Sequence, residues 1–348
     1  MATFAPAAGG SVIGIVGATG AVGIEIISVL ARRNFSVSQL KVYASARSAG
    51  KTIETEYGTL VIEEFSVEAS RSCDVVFLAV SGDFALEHAR AISAGDGPIV
   101  IDNSSAFRYM PEIPLVVPEI NGHVLRGAKL VANPNCTTAI AAVVLWPLHQ
   151  QFGIKTLIMS TYQAASGAGA EGMEELTQGT LAKLTGQPVT NAVFVHPLPF
   201  NLIPHIDKFQ ENGYTKEEMK VVWETLKIFN LTEQELKVSC TAVRIPTMRA
   251  HSEAITIETL RPISADAARD LLASAPGVKV VDNTAENLYP MPLTATSAFD
   301  VEVGRIRESL VFAPNGLDLF VSGDQLLRGA ALNAVLIAEV CLEMKETK

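Results

Sequence analysis

With 348 residues, 37 acidic against 27 basic side chains and a formal charge of −10, the chain has room for about two domains and lacks the basic surplus of a nucleic-acid surface. Hydrophobic residues make up 48% of it, enough for two cores, yet no apolar run reaches the ~18 residues that span a bilayer. Residues 1–10 lack a basic leader segment and read as a frayed tail, and the four cysteines (Cys73, Cys136, Cys240, Cys341) and six histidines show no metal-ligand spacing, so a cytoplasmic protein without disulfides, metal, membrane or nucleic-acid partner is expected.

In chain order, a β-branched run at 12–16 predicts a first strand, followed by a glycine loop and an amphipathic helix to about Arg33. A second strand is read at 40–44. The apolar run at 74–80 suits a strand buried on both faces, and a helix at 83–94 and a strand at 99–102 follow. Strands alternating with helices imply right-handed crossovers and a parallel sheet. At Asn133-Pro134-Asn135-Cys136-Thr137-Thr138 an apolar run gives way to a helical pattern over 137–151. Longer strands at 155–163, 237–245 and 253–260, separated by helices at 169–184, 215–229 and 265–273, predict an α+β domain with a large, mostly antiparallel sheet. A last helix at 324–344, apolar through 330–340, is expected to return to the first domain. The expected organisation is thus a discontinuous Rossmann-like α/β domain (1–135 and 324–348) with a second domain at 136–323.

Gly17, Gly20 and Gly23 recur every third residue between the first strand and helix, where glycine lets the backbone approach a pyrophosphate seated on the helix N-terminus. The G-x-x-G-x-x-G spacing departs from the dinucleotide pattern G-x-G-x-x-G, and such a loop alone is also compatible with a plain turn. The end of the second strand is more telling. It reads Ala44-Ser45-Ala46-Arg47-Ser48, with no acid for a ribose 2′-hydroxyl and an arginine suited to a 2′-phosphate, so NADP is favoured over NAD.

Cys136 opens a helix, where free N–H groups and the helix dipole favour a thiolate, the form that acts as nucleophile. Position alone equally allows a structural cysteine. Gln163, at the end of a strand, can aim an amide at an oxyanion or a substrate carbonyl, and Ser166 and Gly167 in the loop beyond can let a flat ring approach. Arg244 and His251 flank a segment interrupted by Pro246; a loop there brings a carboxylate clamp and a general acid/base together, whereas full extension sets them about 23 Å apart. Arg249 reads as a surface charge. Glu217 and Lys220 share a helix face and suit a zwitterion, though such pairs are commonly solvated, and Arg108 is a further anion-binding candidate.

Taken together and in order, these motifs resemble the aspartate-β-semialdehyde dehydrogenase family nearly end to end, from the Gly17–Gly23 loop through Pro134-Asn135-Cys136, Ser160-Thr161-Tyr162-Gln163, Glu217-Glu218-Met219-Lys220, Arg244-Ile245-Pro246 and His251-Ser252-Glu253 to Gly323-Asp324-Gln325. The resemblance implies reduction of L-4-aspartyl phosphate by NADPH to L-aspartate 4-semialdehyde and phosphate, through a cysteine thioester, in the synthesis of lysine, threonine, methionine and isoleucine. It implies Cys136 as nucleophile, His251 as acid/base and Gln163 as the residue positioning substrate. Arg244 would bind the α-carboxylate, Glu217 lie near the amino group, and Arg108, Lys220 and Asn135 hold phosphate. Gly17, Thr19, Gly20, Ala21, Val22, Ser45, Arg47, Ser48, Ser166, Gly167 and Gln325 would contact NADP. A homodimer or homotetramer built through the second domain is also implied. Its nearest rival is an N-acetyl-γ-glutamyl-phosphate reductase, whose substrate lacks the ammonium that Glu217 would face. A non-catalytic NADP-binding sensor would leave Cys136, Gln163 and His251 without a joint purpose.

Overall fold

The computed structural model describes residues 9–346, so the expected tail at 1–10 lies, but for its last two residues, outside them. The described residues fall into two units, one running to Pro134 and resuming at Ala330, the other Asn135–Gly329.

In the first unit the elements are β1 (Ser11–Val16), α1 (Ala21–Arg32), β2 (Val37–Ala44), a small hairpin of β3 (Thr52–Thr55) and β4 (Gly58–Val61), β5 (Glu63–Glu64), α2 (Val67–Arg71), β6 (Val75–Leu78), α3 (Gly82–Ser93), β7 (Ile99–Asp102), α4 (Pro118–Asn121) and β8 (Leu130–Ala132). Six strands form one sheet in the order β5-β2-β1-β6-β7-β8, every pairing parallel. Strands buried on both faces need apolar side chains throughout, and Val75, Val76, Phe77 and Leu78 are all fully buried. Strand order reverses between β1 and β6, and the glycine loop lies at that switch point, where open α/β sheets bind ligands. Gly17 has φ +84°, and a Cβ there would lie 2.2 Å from the Ala79 carbonyl oxygen, so no other residue fits this turn.

In the second unit come α5 (Cys136–Phe152), β9 (Ile154–Gln163), α6 (Gly169–Leu184), α7 (Lys216–Phe229), β10 (Lys237–Arg244), β11 (His251–Thr259), α8 (Ala265–Ala273), β12 (Val278–Val280), α9 (Pro292–Ala295), β13 (Val301–Glu308) and β14 (Gly316–Gly323). Their sheet runs β10-β9-β11-β14-β13-β12, with the three central pairings antiparallel and the two outer ones parallel. One face of the sheet packs on α5, which is apolar nearly all round and also touches α7 and α8. The opposite face carries Tyr162 and Phe320, in ring contact, and the exposed Ile158.

Two departures from the expectations stand out. Strands β5, β12, β13 and β14 and the β3–β4 hairpin lie outside the predicted elements; β13 mixes apolar with charged residues and is interrupted between Gly304 and Arg307, where Arg305 adopts φ +53°. The last helix, α10 (Leu332–Glu346), starts later than 324, after a π-helical turn at Leu327–Ala331. Asp324 caps this turn, its carboxylate accepting from the Leu326 and Leu327 N–H groups. Helix α10 itself packs against α1, α4 and β7 of the first unit, and Arg33 grips Glu339 through two hydrogen bonds of 2.7 Å. Among the described residues, no helix is long and apolar enough to cross a membrane, and no group of His, Cys, Asp and Glu could hold a metal ion.

Candidate active site

Cys136 is the first residue of α5 and half-buried. Asn135 caps the helix, its Oδ1 accepting from the N–H groups of Thr137 (3.0 Å) and Thr138 (3.3 Å), a capping interaction worth ~1 kcal/mol. The Asn135 N–H in turn donates to the buried Glu224 carboxylate at 2.6 Å. The residue before the thiol is thus held at three atoms, counting its Nδ2 contact to Glu217. Gly329 approaches closely as well. A Cβ there would come within 2.4 Å of the Cys136 Cβ.

Three further candidates come from one row of the sheet. Arg244 on β10 pairs with Gln163 on β9, and one step beyond the Ser252–Tyr162 pair His251 on β11 lies across from Gln163. All three are buried and face the helices. The segment between Arg244 and His251 turns back on the loop after β9, where the Ala165 and Ser166 N–H groups donate to the Thr247 and Met248 carbonyls. Both side chains thereby reach Ala164: Arg244 Nη1 donates to its carbonyl oxygen at 2.6 Å, and its N–H donates to His251 Nδ1 at 3.1 Å. A Cβ on Gly167 would lie 2.8 Å from Arg244 Nη1 and 3.3 Å from His251 Nε2, so the two head groups flank one glycine.

Glu217 joins this row to the helix start. Its Oε1 accepts from Asn135 Nδ2 and Gln163 Nε2, both at 3.1 Å, and its Oε2 from Lys220 Nζ at 2.9 Å. Although burial opposes ionisation, Lys220 and the two amides hold the Glu217 carboxyl down at about 2. Lys220 is in turn shared with Asp207 at 2.9 Å. Gln163 is fixed at its other end by the Thr161 hydroxyl, which donates to Oε1 at 2.9 Å. Burial and the Arg244 charge push the His251 imidazole down to about 3, against smaller opposing effects of Glu217 and the Ala250 carbonyl. Burial lowers Arg244 too, offset in part by Glu217 and Cys136, so a positive charge stands near the sulfur.

A carboxyl held below its ordinary value stabilises the fold above that value and loses this contribution as it protonates. Glu217→Gln is therefore expected to lower the melting temperature at pH 7, with the variant and parent curves converging as pH falls from about 4.5 to about 2, measured by thermal unfolding across that range.

The remaining candidates occupy both units. In the first, Arg108 is buried and donates to the carbonyls of Asn133 (2.8 Å) and Asn103 (3.1 Å). Thr19 and Gly20 are exposed, with Ala21 and Val22 half-buried at the start of α1, which has neither a side-chain cap nor an acid in its first turn. Ser45 and Arg47 are exposed and Ser48 half-buried beyond β2. An uncapped helix start behind a glycine turn, with a cation past the second strand, fits a dinucleotide carrying an additional phosphate. In the second unit, Gln325 Nε2 donates to the Ser166 hydroxyl, and Gln325 Oε1 accepts from the Ala250 N–H at 2.9 Å.

Several residues escaped the sequence reading. Asp207 and Glu224 sit in no recognisable motif, and the partnership of each depends on folding alone. Arg249 is no free surface charge: it pairs with the buried Asp324 at 2.6 Å. Glu253, completely buried one row behind His251, has no hydrogen-bond partner for either oxygen among the described residues, and burial pushes it well above the usual carboxylate range. The signal for Glu253 was present, since an acid at an inward position of an apolar strand is anomalous.

Two family models match the chain: a semialdehyde dehydrogenase NAD-binding domain over residues 12–128 and a semialdehyde dehydrogenase dimerisation domain over residues 145–328. An aspartate-semialdehyde dehydrogenase of Synechocystis sp. is 46% identical over 332 residues, covering 95% of this chain and 97% of the relative. The chain belongs to the aspartate-semialdehyde dehydrogenase family. Among solved structures of the family, aspartate semialdehyde dehydrogenase II of Vibrio cholerae in complex with ASA superposes with a TM-score of 0.91 at 38% identity, covering 96% of this chain and 98% of that one. The Candida albicans enzyme with NADP gives 0.76 at 26% identity, covering 97% and 100%.

Proposed function

We propose that this family member is an NADP-dependent aspartate-semialdehyde dehydrogenase, reducing L-4-aspartyl phosphate to L-aspartate 4-semialdehyde through a Cys136 thioester, a step toward lysine, threonine, methionine and isoleucine. The observation that carries the reading is the convergence of Asn135, beside the thiol, and Gln163 on one Glu217 oxygen, with Arg244 and His251 on the main chain of Ala164 next to Gln163. A cysteine kept only for packing needs no such company.

The Cys136 thiolate attacks the acyl carbon, the bond to the phosphate oxygen breaks, and phosphate leaves toward Arg108, Lys220 and Asn135. Bound NADPH supplies the hydride. The carbon–sulfur bond then breaks and Cys136 regains its thiolate, so that one hard displacement becomes two easier ones. Arg244 holds the α-carboxylate and Glu217 the amino end, and Gln163 orients the carbonyl, so binding remote from the chemistry aligns the reacting atoms. His251 serves the carbonyl oxygen. A homodimer, or a pair of dimers, forms through the second unit, where the sheet face bearing Tyr162, Phe320 and Ile158 supplies apolar surface.

The test is NADP reduction with L-aspartate 4-semialdehyde, followed against phosphate concentration. Loss of phosphate dependence would remove the acyl-phosphate assignment, and faster turnover of N-acetyl-glutamate semialdehyde would move it to the rival reductase. For the cofactor, Arg47→Ala is expected to raise KM for NADPH about tenfold or more while leaving KM for NADH nearly unchanged, since only the former has a phosphate for the guanidinium to pair with. Equal effects on the two would exclude Arg47 from the 2′-phosphate.

A further inference from the structure

Lys220 stands between two carboxylates. Its Nζ donates to Glu217 Oε2 and to Asp207 Oδ2, both at 2.9 Å. Glu217 lies deeper, its other oxygen holding Asn135 and Gln163 and its side chain 7% exposed, against 29% for Asp207. Asp207 therefore takes the donor direction of Lys220 that lies toward solvent. One ammonium cannot neutralise two carboxylates, so the trio is net negative where an anion is to bind. Burial opposes the charge on Asp207, yet Lys220 holds its carboxyl below the ordinary range, so it is ionised at neutral pH. We infer that Asp207 is a built-in competitor for the anion site at Lys220: its carboxylate holds the ammonium between turnovers, yields it to arriving phosphate, and returns to speed phosphate departure. This rests on the assignment of Lys220 to phosphate made above.

The chain around Asp207 suits a carboxylate that moves. Asp207 has φ +68°, a left-handed conformation that few residue types besides Gly, Asn and Asp adopt, and its Oδ1 accepts from the Lys208 N–H at 2.8 Å. Residues 207–209 are exposed. Main-chain bonds pin the loop to the start of α7: the Lys216 N–H donates to the Lys208 carbonyl and the Gln210 N–H to the Tyr214 carbonyl, both at 2.7 Å. Oδ2 can thus leave Lys220 without unpinning the loop. Exchange of a carboxylate oxygen for a phosphate oxygen at one ammonium moves no proton and keeps Lys220 paired throughout, so no buried charge is left alone. The competition weakens phosphate binding in proportion to the time Asp207 holds the ammonium; an occupancy of about nine-tenths lowers the apparent affinity about tenfold. Weaker binding of a departing product favours turnover wherever its release is slow.

Asp207→Asn removes the charge while keeping an acceptor oxygen, and asparagine tolerates the left-handed turn. The full chain is assayed with L-aspartate 4-semialdehyde and NADP against inorganic phosphate, ionic strength being held constant with chloride. KM for phosphate is expected to fall about tenfold in the variant, with KM for the semialdehyde nearly unchanged, and phosphorus-31 NMR titration should show the same tightening of Kd. An unchanged or raised KM for phosphate would mean that Asp207 only props Lys220 in place, and overturns the inference. Glu211→Gln, which removes an exposed acid from the same loop, should leave phosphate binding as it is; an equal gain there would reduce the effect to net charge and overturn the inference as well. In a Lys220→Gln background, Asp207→Asn should bring no gain. Failure of the underlying reading looks different: Lys220→Gln alone would bind phosphate as tightly as the parent, which removes Lys220 from the phosphate site and the competitor with it.

Discussion

Cys136→Ser is expected to lower phosphate-dependent turnover of L-aspartate 4-semialdehyde by on the order of 10⁴-fold or more while leaving the far-UV spectrum and the melting temperature close to those of the parent. Loss of a covalent nucleophile removes the low-barrier route, and substitutions of this kind in cysteine and serine enzymes cost several powers of ten. The fold has little stake in the sulfur. Asn135 caps α5 through its own side chain, and the neighbouring Thr137, Thr138 and Ala139 are fully buried whatever stands at 136. The buried thiols Cys73, Cys240 and Cys341 serve as internal controls, each held above its ordinary value by burial and therefore slow to react. Alkylation with iodoacetamide at pH 7 should label Cys136 first, and a serine variant with near-normal turnover would end the thioester mechanism.

Asp324→Ala is expected to destabilise the second unit by about 3–5 kcal/mol, because it leaves the partly buried Arg249 without its carboxylate and strips acceptors from buried amides. Asp324 is fully buried and accepts from Arg249 Nε (2.6 Å), the Ser297 N–H (2.7 Å) and the Leu326 and Leu327 N–H groups. It ties the β10–β11 loop to the turn before α10, and Gln325 beside it holds the Ala250 N–H, one residue from His251. Denaturant unfolding should show the loss in the transition of the second unit, and catalysis should suffer with it through His251. Asp324→Asn, which keeps one acceptor oxygen, is expected to lose less. A variant as stable as the parent would show that the Arg249 pair contributes nothing net.

The legible parts of this protein were those in which neighbours in sequence are neighbours in space. Strands β1, β6 and β7, the glycine turn and the helix opening at Cys136 follow from β-branched runs, from the absence of Cβ at Gly17 and from the Asn135 cap, all local properties. Strand β13 is hidden because its bulge breaks the period-two pattern, and α10 starts beyond 324 because the residues after Asp324 wind first as a π-helical turn, which an apolar pattern does not distinguish from an α-helix. Residue types at the site were also readable, since Cys136, Gln163, Arg244 and His251 each stand where an element begins or ends.

Their charge states and partners were not. By itself the sequence determined a parallel α/β unit with a glycine turn, an α+β unit following a helix-opening cysteine, and a set of reactive side chains in a specific order. Tertiary structure alone decided that Lys220 is shared between Glu217 and Asp207, that Arg249 pairs with Asp324 and that His251 receives the Ala164 N–H. Helix and strand propensity act over a few residues, whereas protonation depends on burial and on polar groups brought together from distant parts of the chain, Arg249 and Asp324 being 75 positions apart and Ala164 and His251 87.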